Sequence, residues 1–152
     1  MRPLSTYRLH QRLSFRIARL ARILHARLEA ELAPHGLTRL MWLILYGVGV
    51  DGVETPSGLA SYLGVARPSI SRLLHRMQTD GLIQRDASPE GDGRNVQLSL
   101  TEAGRQLLGE LLPRIDAHNE HFCMKLDPVA LSALMDTLDR LAAGEAEPSL
   151  TT

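Results

Sequence analysis

The chain has 152 residues, 44% of them hydrophobic and 22% charged, with a formal net charge of zero. That composition excludes disorder, and the length suits one domain or one domain with helical extensions. No apolar run approaches the roughly 20 residues of a membrane span; no signal core follows Met1-Arg2-Pro3-Leu4-Ser5-Thr6-Tyr7, and the single cysteine, Cys123, excludes an internal disulfide framework, so a cytoplasmic protein is expected.

The charge is unevenly placed. Met1 to Leu40 carries eight Arg against two Glu, whereas Gln106 to Thr152 carries three basic residues against eight acids. The two ends can attract one another, within a chain or between chains. The first helix is expected over about Tyr7 to Leu32, where Leu13, Ile17, Leu20, Leu24 and Leu28 form one apolar stripe. Arg8, Arg12, Arg16 and Arg19 flank it, and Pro34-His35-Gly36 stops it. Thr38 caps a second helix, Arg39 to about Val48, apolar nearly all round and therefore buried. Gly47, Gly49 and Gly52 then loosen the chain into a loop.

Thr55-Pro56 reads as a hydroxyl cap with proline at the first helical position, opening a short helix to about Tyr62. Gly64 suits a left-handed C-terminal cap. After the turn Gly64-Val65-Ala66 comes a helix over Arg67 to Thr79, with Ile70, Leu73, Leu74 and Met77 facing inward. Leu82 to Asp86 reads as a strand. A polar loop with Pro89, Gly91 and Gly93 follows, and the returning strand from Arg94 alternates Val96, Leu98 and Leu100 with Asn95, Gln97 and Ser99. Thr101 caps a long helix to about Phe122, with a kink expected near Gly109 to Pro113. Asp127-Pro128 starts the last helix, to about Ala142, with Leu131, Leu134, Leu138 and Leu141 as its seam.

This order is a winged helix-turn-helix: mainly α, with a small β-hairpin wing. It implies binding to double-stranded DNA. The second helix of such a motif enters the major groove and offers its N-terminal residues to base edges. Here those are Arg67, Pro68, Ser69, Ser71 and Arg72, with Arg76 and His75 a turn further on, nearer phosphates. The hairpin tip, Asp92-Gly93-Arg94, offers a guanidinium to the negative potential of the minor groove, and Asp92 can pin it. Taken alone, either feature is an ordinary solvated helix face or charged turn. Their order along the chain argues otherwise.

The pieces Leu37-Thr38…Trp42, Leu59-Ala60…Leu63-Gly64-Val65, Ser69-Ile70-Ser71-Arg72-Leu73-Leu74…Met77, Asp80-Gly81-Leu82-Ile83…Arg85 and Asp92-Gly93-Arg94…Leu100-Thr101…Gly104 together resemble the MarR family of transcriptional regulators. The resemblance covers about Leu37 to Leu108. It implies an obligate homodimer that binds a palindromic operator and, as in many members, is released by a small, often phenolic, ligand; a repressor is expected, with an activator as the other possibility. It also implies a division into a dimerisation helix (1–36), a DNA-binding domain (37–100) and C-terminal dimerisation helices (101–143), and the tail (144–152) is expected to be disordered. Two positions depart from the family pattern: Gly93 stands where wings often carry a second basic residue, and Ala66 where the recognition helix usually has a polar cap.

Two alternatives stand beside this reading. One is a helical protein-binding adaptor with no operator of its own. The other is a metal- or redox-responsive regulator, using His118 and His121, one turn apart, or Cys123. Neither is favoured: the expectation is no metal and no cofactor, with Cys123 a half-buried thiol. No nucleophile–base pair, phosphate loop or paired catalytic carboxylates can be recognised, so an enzyme is not expected.

Overall fold

The computed structural model describes residues 8–87 and 96–145. The chain divides into two compact units, with the boundary between Arg39 and Leu40.

The first unit is built on α1, Leu13–Leu32. The single helix expected from Tyr7 is not what forms. A 3-10 turn over Leu9–Gln11 comes first, and Arg12 is extended between the two. Local polar bonds explain the break: Gln11 Oε1 accepts from the Arg8 N–H at 2.9 Å, and Arg16 Nε donates to the His10 carbonyl at 3.0 Å. They satisfy backbone groups that would otherwise favour one continuous helix. Leu13, Ile17, Leu20 and Leu24 stay exposed in this single chain. After a 3-10 turn at Ala33–His35, Gly36 takes the left-handed conformation that ends the segment.

The second unit opens with α2, Arg39–Gly49, whose Met41, Trp42, Ile44 and Leu45 are buried as its composition requires. Its glycines are not loosening elements. Gly47 and Gly49 lie inside the helix, where neighbours come close: a Cβ at Gly47 would stand 3.2 Å from Leu59, and one at Gly49 would run into Leu100 and Leu108. Then come α3, Pro56–Leu63, and α4, Arg67–Thr79. The Thr55 hydroxyl accepts from the Gly58 N–H at 3.0 Å, as the cap reading required, and Gly64 is left-handed at φ 63°. Strands β1, Ile83–Ala87, and β2, Val96–Leu100, pair antiparallel, from Ile83 opposite Leu100 to Ala87 opposite Val96. Leu98 and Leu100 are buried with Ile83. The core of this unit gathers Ile44, Leu45, Leu59, Ile70, Leu74, Met77 and Leu111, all fully buried.

Helix α5, Glu102–Cys123, carries Pro113 in its interior and runs on to the end expected for it. Helix α6, Pro128–Ala142, starts where the Asp127 carboxylate accepts from the Val129 and Ala130 N–H groups at 3.0 and 2.9 Å. None of its residues is buried, and Leu134, Leu138 and Leu141 are each exposed by 40% or more. No helix among the described residues is long and apolar enough to cross a membrane. Of the expected tail, residues 146–152 lie outside the described residues.

The tightest joint lies at the start of α5. Thr101 Oγ1 donates to the Gly81 carbonyl at 2.5 Å and accepts from the Gly104 N–H at 3.0 Å. The Thr101 N–H donates to the Leu82 carbonyl at 3.1 Å. A Cβ at Gly104 would run into that same Leu82 oxygen. Gly104→Ala is therefore expected to destabilise the protein by about 1–3 kcal/mol or more. Gly109→Ala, on the same helix but with open space around the added carbon, is expected to stabilise by roughly 0.5–1 kcal/mol. Urea unfolding of both variants checks the opposite signs.

Candidate nucleic-acid interface

Helix α4 carries the candidate interface because its two faces differ so sharply. Ile70, Leu74 and Met77 recur at helical spacing and are fully buried. On the opposite side Pro68, Arg72, His75 and Thr79 form a row at four-, three- and four-residue steps, all exposed. Arg67, Ser71 and Arg76 are exposed beside that row, and Ser69 is half-buried. The six residues expected to face the major groove therefore share one helix, five of them fully presented to solvent. Burial of the apolar face fixes which way the basic face points.

Local contacts order part of this surface. Arg72 Nη2 donates to Ser69 Oγ at 3.4 Å. Arg76 Nε lies 3.6 Å from Asp80 Oδ2, an i,i+4 ion pair with both side chains about half exposed. The sequence reading did not include this pair, although the four-residue spacing was visible in it. At the helix start Ala66 has extended backbone geometry and makes no side-chain cap bond. Pro68 brings no N–H to the first turn, and the Ser69 and Ile70 N–H groups donate to the Ala66 carbonyl at 3.0 and 3.2 Å.

The hairpin is braced against the helix-turn-helix. The Leu98 N–H donates to the Glu54 carbonyl at 2.7 Å, one residue before the Thr55 cap. The Tyr62 hydroxyl donates to the Asp51 carboxylate, tying the loop after α2 to α3. That hydrogen bond, with the Asp51 charge, raises the Tyr62 pKa and keeps the phenol protonated. Neither contact was legible in the sequence, since each joins segments with no local pattern in common. The wing residues Asp92 and Arg94 lie outside the described residues.

A helix-turn-helix joined to a two-stranded wing now stands beside the comparisons. The MarR family model matches residues 35–95, which span α2, the helix-turn-helix and the first strand. A probable transcriptional regulator from Pseudomonas aeruginosa is 31% identical, over 88% of this chain and 99% of that one, with a TM-score of 0.72. The chain belongs to the MarR family of transcriptional regulators. Two other solved structures share its fold. CouR from Rhodococcus jostii, bound to p-coumaroyl-CoA, is 24% identical over 93% of this chain and 99% of its own, with a TM-score of 0.78. Bordetella bronchiseptica BpsR, whose DNA binding is regulated by 6-hydroxynicotinic acid, is 17% identical over 93% of this chain and 100% of its own, with a TM-score of 0.80.

The other candidate groups of this MarR-family chain all lie on α5. His118 and Cys123 are half-buried on α5 and His121 is exposed, edge-on to Phe122 at 5.2 Å. Among the described residues, no three His, Cys, Asp or Glu side chains come together in a way that holds a metal ion. The bare start of α4 yields a test of the local physics. Ala66→Ser would offer its hydroxyl to an amide that the Ala66 carbonyl already holds, so it is expected to change stability by less than about 0.5 kcal/mol in urea unfolding.

Proposed function

We propose that this MarR-family protein is a cytoplasmic homodimeric repressor that binds a palindromic operator in double-stranded DNA and is released by a small aromatic ligand. The observation that carries the reading is the outward face of α4. Arg67, Pro68, Ser71 and Arg72 are presented together on a helix whose other face is locked in the core. In the proposed complex these residues and Ser69 meet base edges in the major groove, with Arg76 a turn further along the same helix. Arg94, positioned by Asp92, enters the minor groove. The assignment of ligand class follows two proteins of the same fold, bound to p-coumaroyl-CoA and regulated by 6-hydroxynicotinic acid, both of which carry a ring.

Dimerisation is proposed through residues 1–36 and 101–143, with 37–100 as the DNA-binding domain. The exposed stripe of α1 and the exposed seam of α6 support it: each is an apolar surface that water alone covers in a single chain. The basic start and acidic end of the chain also suit one another across a two-fold axis. Light scattering at micromolar concentration is expected to give twice the 16.8 kDa chain mass; a monomer would overturn this part of the reading.

Gel-shift and titration assays on DNA upstream of the protein's own and neighbouring genes test the operator. Arg72→Ala is expected to cost roughly 1–3 kcal/mol on the operator and to relax preference at one position. Arg94→Ala should weaken binding without loss of fold, and Asp92→Ala should do so less severely. Unchanged affinity for Arg94→Ala would remove the wing from the mechanism. Absence of any DNA binding by the wild type would leave the adaptor reading in its place.

A further inference from the structure

We propose that Asp80 holds in check the sequence-independent DNA affinity of the recognition helix by neutralising Arg76. This inference rests on the DNA-binding reading above. Asp80 is the single acid between Glu54 and Asp86, a stretch that contains Arg67, Arg72, Arg76 and Arg85. It is therefore the one acid that the sequence places on or directly beside α4. Its carboxylate lies 3.6 Å from Arg76 Nε.

Asp80 is also firmly placed. Its N–H donates to the Arg76 carbonyl at 2.8 Å, so backbone and side chain close on the same partner. The next residues are tied from both sides. The Gly81 and Leu82 N–H groups donate to the Gln78 and Met77 carbonyls at 3.1 and 2.9 Å, and their own carbonyls accept from Thr101. The carboxylate thus projects from a backbone that cannot swing away. A helix C-terminus is the end at which a negative charge is unfavourable, whereas Arg76, in the last turn, suits it. The ion pair is exposed, so its contribution to folding is slight. Helix stability does not account for an acid at this position; its effect falls on the charge that α4 presents.

The consequence lies in counterion release. Each phosphate neutralised by a cation releases counterions and steepens the dependence of log affinity on log salt by about 0.9. Arg76 shared with Asp80 adds no net charge at its place on the helix. The ion pair therefore changes the expectation for Arg76 drawn from its position alone, which was a full phosphate contact. With Asp80 in place, Arg76 contributes little to non-specific binding, and discrimination is left to the helix start.

The test uses the full-length protein and a random-sequence duplex, so no operator need be known. Wild type, Asp80→Asn, Arg76→Ala and the double variant are titrated across a fourfold range of salt. Asp80→Asn is expected to steepen the slope by about one, a change of roughly three- to fourfold in relative affinity over that range. Arg76→Ala alone should move the slope by much less than one, and in the Asp80→Asn background it should cancel the steepening. Asp80→Glu, which keeps the charge, should keep the wild-type slope. The proposal is overturned if Asp80→Asn leaves the slope unchanged, or steepens it equally with Arg76 absent, which would make Asp80 an independent repulsive charge. If the wild type binds no duplex even at low salt, the DNA-binding reading itself has failed, and that outcome is distinct from both. Equal melting temperatures across the five proteins establish that the slopes compare folded molecules.

Discussion

The joint at Thr101 is where the helix-turn-helix, the hairpin and α5 are held together. One hydroxyl bonds at once to the carbonyl just beyond α4 and to the third amide of α5. The Leu82 carbonyl accepts from Thr101, and Gly104 leaves that carbonyl its space. The end of the recognition helix, the start of the hairpin and the start of α5 thus share a few atoms. A side chain at Gly104 would push these elements apart, and loss of the hydroxyl would leave two backbone groups to seek other partners. The orientation of α4, and hence of everything it presents, depends on this small polar contact at the edge of an apolar core.

On that frame the candidate interface is an outcome of burial. Ile70, Leu74 and Met77 are hidden because they are apolar and spaced for one face. The remaining residues of α4 have no choice but to face out, and they are rich in Arg and Ser. The helix is then trimmed electrostatically at its far end by Asp80 and left without a side-chain cap at its near end by Ala66. Positive potential is concentrated toward the first turns, where a helix already carries its own partial positive charge. In a winged helix-turn-helix that is also the end that approaches the bases.

The apolar surfaces of α1 and α6 belong to a different physical problem. Each helix has a stripe that its own sequence marks as a burial face, and each stripe is exposed in the single chain. Leu13, Ile17, Leu20 and Leu24 on one, and Leu134, Leu138 and Leu141 on the other, are exposed by more than a third. Such surfaces are stable in water when something covers them. A second copy, with its opposite charge distribution at the two ends of the chain, is the covering that the proposed function supplies.

Local rules were enough to read much of this from the sequence. Thr55, Thr101 and Asp127 announce helix starts because a side-chain oxygen beside unpaired amides is favourable wherever it occurs, and all three caps form. Alternation in Val96 to Leu100 and the period of Ile70, Leu74 and Met77 marked their buried faces for the same reason. What the sequence by itself determined, then, was the order of elements, the winged helix-turn-helix and the residues on the exposed side of α4. Only the tertiary structure decided contacts between segments without a shared period. Gly47 and Gly49 read as loop-formers until the neighbours pressing on them were known. The first helix read as continuous until Arg16 reached back to His10. The bond from Leu98 to Glu54 joins stretches far apart in the chain, and that from Tyr62 to Asp51 ties a helix to the loop before it. No pattern along a sequence encodes such meetings, because they depend on where folding brings two surfaces together.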